Sequence, residues 1–252
     1  MPATLKLKLR GDAKQKHGFE IGSLLQGVMM GVIDGEYADQ LHESNLHSYS
    51  QYITEGADGI EWTISVLDQE AKEKILQPLS ELEHITLRHR NEKLDVLERS
   101  IIEEDYRDLI EKYYMVDGDP YIHLKFVSPT SFKVQGEYSL YPTARLIFRN
   151  LINRYDEFSK DSKIYDRDLL DYIDENVILT GYNMRSISFP LEGVNIPAFM
   201  GSIRYKVRGP RQMANILRLL AYFGEYSGVG IKTGIGMGGM KVIKSRDGGG
   251  RR

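Results

Sequence analysis

Two histidines set close together are the first residues whose types and spacing could do chemistry. His42 and His47 bracket the turn Leu41-His42-Glu43-Ser44-Asn45-Leu46-His47. Histidine titrates nearest neutral pH, so one imidazole can take a proton in one step and return it in the next. The other four of the six histidines fit that role less well. His84 and His89 stand with Arg88 and Arg90 in a strand-like stretch, which suits a solvated or packing role. His123 alternates with Ile122 and Leu124 and reads as a structural strand residue, and His17 sits in a polar loop.

A second stretch lies near the other end. Six of the twelve residues in GVGIKTGIGMGG, Gly228 to Gly239, are glycine, with Lys232 among them. Glycine is costly inside helices and strands, so such a run serves either as a mobile loop or as a backbone that something must approach closely. The closer reading is a cradle of main-chain N–H groups for phosphate. Lys232-Thr233 lacks the spacing of a Walker loop. Gly234, Gly236 and Gly239 match G-x-G-x-x-G by count, but a strand-like segment follows where that fingerprint needs a helix.

Several chemistries are excluded. With no cysteine, disulfides, thiolate metal sites and a thiol nucleophile are absent. His42-Glu43 and His47 miss the helical H-E-x-x-H spacing by one residue, and no aspartate pair of the two-metal type occurs, so no metal site and no cofactor is expected. No G-x-S-x-G elbow is present. The acidic runs Glu103-Glu104-Asp105 and Asp166 to Asp174 fall at helix starts, where they complement the helix dipole.

The elements that must position these residues follow from periodicity. Leu5, Leu7 and Leu9 alternate with Lys6 and Lys8, predicting a half-buried strand. Leu24, Leu25, Val28, Met29, Val32 and Ile33 mark a helix face, and a short helix over 36–42 follows with Tyr37 and Leu41 inward. Strands are predicted over 49–54 and 60–67, a helix over 69–82 interrupted at Pro78, strands over 84–90 and 93–99, and a helix over 103–114. After Asp117-Gly118-Asp119-Pro120 the order resumes: a strand over 121–127, a hairpin arm over 132–138, and a helix opened by Pro142. A helix over 167–173, strands over 177–189 and 198–207, and a helix with Met213, Ile216, Leu217, Leu220 and Phe223 inward come next. Residues 231–235 or 240–243 complete the sheet. The same order of strands and helices thus occurs twice. The expected class is α+β, two tandem ferredoxin-like (RRM-like) domains over 1–117 and 121–244, each an antiparallel sheet with helices on one face. Residues 245–252 read as a disordered basic tail.

Charge divides with the chain. Residues 1–120 carry 13 Lys and Arg against 24 Asp and Glu, a net −11, while residues 121–252 carry 20 against 12, a net +8. A basic half suggests a polyanionic partner on that half. No apolar run approaches the ~20 residues of a membrane span, and the N-terminus lacks a signal-peptide core. The cytoplasm is the default location, with no membrane partner.

Three segments together carry a resemblance. GVGIKTGIGMGG behind an amphipathic helix resembles the glycine-rich signature of CRISPR-associated RAMP-superfamily proteins. The stretch from Phe126 to Lys133, then Tyr141-Pro142 and the Phe148 helix, resembles the second half of the endoribonuclease branch that cuts precursor CRISPR RNA within its repeats. Leu25-Gln26-Gly27 leading to Leu41-His42-Glu43 resembles the part of that branch that supplies the catalytic histidine.

The resemblance implies two ferredoxin-like domains with RNA along the face between them. It implies metal-free cleavage by the ribose 2′-OH, giving a 2′,3′-cyclic phosphate and a 5′-OH. Its partner is the precursor CRISPR RNA repeat, with hand-over of product to a multi-subunit CRISPR effector complex, by a monomer or a homodimer. His42 is carried over as catalytic. Some members add a tyrosine from the first helix and a lysine soon after the histidine. Here the helix offers Met30, and no lysine falls between Lys16 and Lys72. His47 is the expected second catalytic group, with Lys232 the further candidate for positive charge. Expected RNA contacts are Lys133, Arg145 and Arg149. They extend to Arg204, Lys206 and Arg208, on a strand whose other side offers the Tyr205 ring, and to Gly228, Gly230, Lys232, Thr233, Gly234 and Gly236. A non-catalytic RAMP subunit that grips guide RNA is the alternative, and a nucleotide-cofactor enzyme is a third reading.

Overall fold

Leu5, Leu7 and Leu9 all have no exposed surface, and Lys6 and Lys8 emerge on the opposite face beside Glu61 at 3.1 Å and Glu98 at 3.2 Å. That alternation fixes β1 (Ala3–Arg10) as the centre of the first sheet. The computed structural model describes residues 1–12, 15, 17–44, 46–56, 59–160, 163–191 and 193–244. The expected tail over 245–252 lies outside the described residues, as do Ala57 and Asp58 between the strands expected over 49–54 and 60–67.

After β1 come α1 (Gly22–Val32) and α2 (Gly35–Glu43), then β2 (Tyr49–Gly56) and β3 (Gly59–Val66). Two short helical pieces, α3 (Gln69–Ala71) and α4 (Gln77–Ser80), flank a π-helical segment at Lys72–Leu76. The irregularity therefore precedes Pro78, the second residue of α4, which has no N–H with which to continue the ladder of the helical run before it. β4 (His84–Leu87) and β5 (Glu92–Glu103) form a hairpin. The strand expected over 84–90 stops at Leu87, because Arg88–Arg90 coil into a 3₁₀ turn and Asn91 closes it at φ 47°. Asparagine tolerates that left-handed conformation better than most residues.

The sheet order is β2-β3-β1-β5-β4, antiparallel throughout. Without the added edge strand β4 this is the ferredoxin-like arrangement.

α5 (Tyr106–Tyr113) leads to the second unit: β6 (Tyr121–Thr130), the hairpin β7 (Phe132–Val134) and β8 (Glu137–Ser139), α6 (Ala144–Phe158), α7 (Arg167–Asn176), β9 (Val177–Leu191), β10 (Val194–Val207), α8 (Arg211–Ser227) and β11 (Met240–Val242). The order β11-β6-β10-β9 repeats the first unit's topology. Of the two candidate closing segments, 240–242 pairs with β6, while Thr233–Ile235 forms a 3₁₀ turn.

Each unit has its own core. Leu25, Met29, Trp62 and Ile64 belong to the first, and Leu124, Phe126, Phe148, Leu151 and Phe223 to the second. α5 joins the second core. Leu109 is buried there, and the Tyr113 ring stacks on Tyr222 with centroids 3.7 Å apart. The packing border thus falls ahead of α5, earlier in the chain than the Asp117–Pro120 segment at which the sequence suggested dividing it.

Candidate active site

The glycine-rich stretch is a packed joint between the units, and this corrects the open phosphate cradle. Gly228, Gly230, Thr233, Gly234 and Gly236 are buried. Gly228 N donates to the Gly224 carbonyl at 3.0 Å and Gly230 N to Asn150 Oδ1 at 2.8 Å, so neither amide is offered to a ligand. Val229 N and Gly238 N are likewise spent inside, on the Gly238 and Pro129 carbonyls. Burial takes these five residues out of the solvent-facing set and leaves Lys232, which is exposed, as the loop's cation.

What the glycines permit is contact with the first unit. A Cβ at Gly234 would stand 2.9 Å from the Tyr49 hydroxyl, and one at Gly239 2.6 Å from the Tyr52 ring. Gln51, 1% exposed, locks the joint from β2. Its Nε2 donates to the Gly234 carbonyl at 2.8 Å and the Gly22 carbonyl at 3.1 Å, and its Oε1 accepts from Trp62 Nε1 at 2.5 Å. Every polar atom of that buried amide is used, as burial demands.

The histidine turn is attached to this joint. Asp34 caps α2 by accepting from Tyr37 N at 3.2 Å, and Tyr37 and Leu41 bury the helix's inner face. His42 then falls in the last turn, on the exposed side. Five residues on, His47 is half-buried, and its ring stacks on Tyr49 with centroids 5.4 Å apart. Tyr49 is itself fixed by a 3.0 Å hydrogen bond from Gln26 Nε2 to its hydroxyl, and Gly234 lies against it. His47 and the glycine loop, almost two hundred residues apart in sequence, meet around one tyrosine.

Burial holds the His47 pKa below its ordinary value. Arg154 and His42 push the same way as neighbouring positive charges, and the Leu41 carbonyl pulls it back. His47 Nδ1 is buried with no hydrogen-bond partner among the described residues. The neutral ring thus keeps an acceptor lone pair at Nδ1, in a position closed to solvent.

The other expected contacts divide. Arg149 and Arg208 are exposed, and Lys133 is exposed with its ammonium 5.9 Å from the Tyr138 ring centroid. Arg145 bonds the Leu170 carbonyl at 3.0 Å and pairs with Asp171 at 3.3 Å and with Asp174. It ties α6 to α7, and this structural load corrects its reading as a free phosphate contact. Tyr205 is no stacking platform either: it is 3% exposed and its hydroxyl donates to the Pro142 carbonyl at 2.8 Å.

Arg204 and Lys206 lie on the open face of the second sheet, and register adds residues that the sequence reading missed. Directly opposed residues share a face. Arg204 opposes His123, Lys206 opposes Tyr121, Ser202 opposes Lys125, and Met200 opposes Arg185. The Lys206 ammonium lies 5.5 Å from the Tyr121 ring centroid. Lys125 and Arg185 border a depression of about 350 Å³ with Asn183, Met200 and Ser202. The signal was present as alternation along β6, but only strand pairing shows which alternate residues share a face. Among the described residues no group of three or more His, Asp or Glu is placed to hold a metal ion, and no helix is long and apolar enough to cross a membrane.

Two ferredoxin-like units of the same core strand order, the first with an added edge strand, joined through a buried glycine loop, give the chain a RAMP-like fold. The family model described as CRISPR-associated endoribonuclease Cas6 matches residues 124–240. The chain is 31% identical over 221 residues to the CRISPR-associated endoribonuclease Cas6 of Streptococcus thermophilus, covering 88% of this chain and 90% of that protein. It is 30% identical over 242 residues to that of Mycobacterium tuberculosis (strain CDC 1551 / Oshkosh), covering 95% and 77%. The protein belongs to the Cas6 family and is an endoribonuclease. Its fold is also that of Thermus thermophilus Cas6, with TM-score 0.75 at 19% identity over 96% of this chain and 98% of that one. A Cas6 product complex has TM-score 0.80 at 22% identity, covering 96% and 99%.

Proposed function

We propose that this endoribonuclease cuts precursor CRISPR RNA within its repeats, without metal, at the His42–His47 turn. The ribose 2′-OH attacks the adjacent phosphorus as a base takes its proton. The P–O5′ bond breaks as an acid protonates the leaving oxygen. The products are a 2′,3′-cyclic phosphate and a 5′-OH. The observation that carries the reading is the pairing, in one turn, of an exposed His42 with a half-buried His47 whose pKa burial holds down. Such a pair offers two imidazoles in different environments, one suited to remain neutral, as acid–base catalysis at a phosphate requires. Lys232, exposed on the neighbouring loop, supplies positive charge for the pentavalent phosphate.

The repeat RNA is held by the basic half. Arg149, Lys133 and Arg208, with Lys125, Arg185, Arg204 and Lys206 on the open sheet face, neutralise phosphates, and Tyr121 offers a ring for an unpaired base. Structures of Cas6 as a product complex and as a substrate-mimic complex share this fold, and one Cas6 structure is of a histidine-to-alanine mutant. These support RNA as ligand and a histidine as a residue worth removing.

The test is incubation with repeat RNA from the same genome in EDTA, with both product ends mapped. Cleavage giving a cyclic phosphate, and its loss in His42→Ala, is expected. Uncut RNA restored to cleavage by a divalent cation, or a 5′-phosphate on the product, would refute the reading. Full cleavage by both His42→Ala and His47→Ala would move the site elsewhere.

A further inference from the structure

Arg154 lies on α6 of the second unit, yet its side chain serves the first. The residue is 3% exposed. Its Nη2 donates to the main-chain carbonyl of His47 at 3.2 Å and reaches that of Tyr49 at 3.5 Å, across more than a hundred residues of sequence. Its Nε has no hydrogen-bond partner among the described residues, and the ionisable neighbour that favours its charge is the Tyr106 phenol rather than a carboxylate. Burying a guanidinium without a counter-ion is expensive, and an apolar side chain in the same place would cost the fold less. A feature so unfavourable to folding needs a reason in the site.

We infer that Arg154 is a positioning residue for RNA cleavage, holding the main chain of the histidine turn from the RNA-binding unit. The inference rests on the reading that His47 takes part in the reaction. α6 carries the link. Asn150, one turn before Arg154, accepts the Gly230 N–H at 2.8 Å and so anchors the glycine loop. Arg149, beside it, faces solvent as a phosphate contact. One helix therefore joins the RNA surface, the loop bearing Lys232 and the turn bearing both histidines. A shift of α6 on RNA binding moves the histidines with it.

Arg154 also faces the His47 ring electrostatically. The groups around that ring are Arg154 from α6, His42 and the Leu41 carbonyl from α2, and the Tyr49 ring from β2. Removing the guanidinium removes the larger electrostatic opposition to protonation there, so the ring protonates more readily. Lysine keeps the charge, but its ammonium sits on a flexible stem and does not reproduce the fixed position from which Nη2 reaches both carbonyls.

The test compares the full chain with Arg154→Met, Arg154→Lys and His47→Ala on repeat RNA from the same genome. Single-turnover rate is followed across the range in which histidine titrates, together with RNA affinity and the His47 ring titration by NMR. Arg154→Met is expected to bind RNA as the parent does but cut roughly 100-fold more slowly, the scale of a misplaced catalytic group. Its acid limb and its His47 titration move to higher pH. Arg154→Lys recovers part of the rate and leaves the titration near that of the parent. Should Arg154→Met fail to fold, Arg154→Gln, which keeps donors without charge, takes its place. A His47 titration unmoved by loss of the charge, or a rate that falls only in step with melting temperature, overturns the inference. Parent-rate cleavage by His47→Ala instead overturns the catalytic reading of His47, so the two failures are distinct.

Discussion

Gly234 lies against Tyr49 with no room for a methyl group: a Cβ at position 234 would stand 2.9 Å from the phenol oxygen. This contact sets the glycine loop at the histidine turn, because the same tyrosine stacks on His47. Gly234→Ala forces Tyr49 or the loop to move. Overpacking of a tight site costs about 1–3 kcal/mol. The expected outcome is a lower denaturation midpoint together with slower single-turnover cleavage. A variant with parent stability and parent rate would show that the joint is more yielding than its packing implies.

The pH dependence has a definite sign. Burial lowers the His47 pKa in the folded protein, whereas in the unfolded chain it titrates near ~6.5. The unfolded state therefore takes up the proton first as pH falls. His47 contributes stability that is fully present above the unfolded pKa and is lost as pH drops through it toward the folded value. Denaturant midpoints of the parent and His47→Ala, measured on both sides of that pH, should show the parent losing ground on the acid side. A constant difference between the two proteins would contradict the shift.

RNA affinity should fall with salt, since several phosphates are neutralised at once. Replacing Lys125, Arg185 or Arg204 by alanine is expected to reduce the slope of log K against log salt by about 1 each. Arg145→Ala should leave that slope alone, because its guanidinium is engaged by Asp171, Asp174 and the Leu170 carbonyl. Fluorescence anisotropy with repeat RNA at several salt concentrations separates the two groups. An equal effect of Arg145→Ala would return it to the RNA surface.

Gln51→Leu tests the joint from the other side. It strands the Gly234 carbonyl and the Trp62 N–H, both buried, and removes the side-chain bond to the Gly22 carbonyl, which keeps its place in the α1 ladder. Unsatisfied buried groups cost about 1–3 kcal/mol each, so a marked drop in melting temperature is expected. Leu7→Ala, in the first core, should cost about 2–5 kcal/mol by cavity formation without altering the pH profile of cleavage. Calorimetry and rate profiles of the two variants together distinguish damage to the joint from damage to the core.

Much of this was legible from residue order. Alternation gave β1, apolar spacing gave α1, α6 and α8, and the recurrence of element types gave two ferredoxin-like units, because periodicities of 2 and 3.6 are local properties of a chain. The turn with two histidines was visible for the same reason. What sequence left undecided depended on partners far along the chain. A glycine reads alike whether its amide faces a phosphate or its Cα faces a tyrosine, so the loop's burial became visible only once Tyr49 and Tyr52 were placed against it. Arg145 and Arg154 look equivalent on one helix. Tertiary packing gives the first to acidic α7 and the second, buried, to the carbonyls of the histidine turn. Local pattern determined the elements and named the histidines. The fold decided which cations remain available to RNA, because burial and ion pairing arise only when distant segments meet.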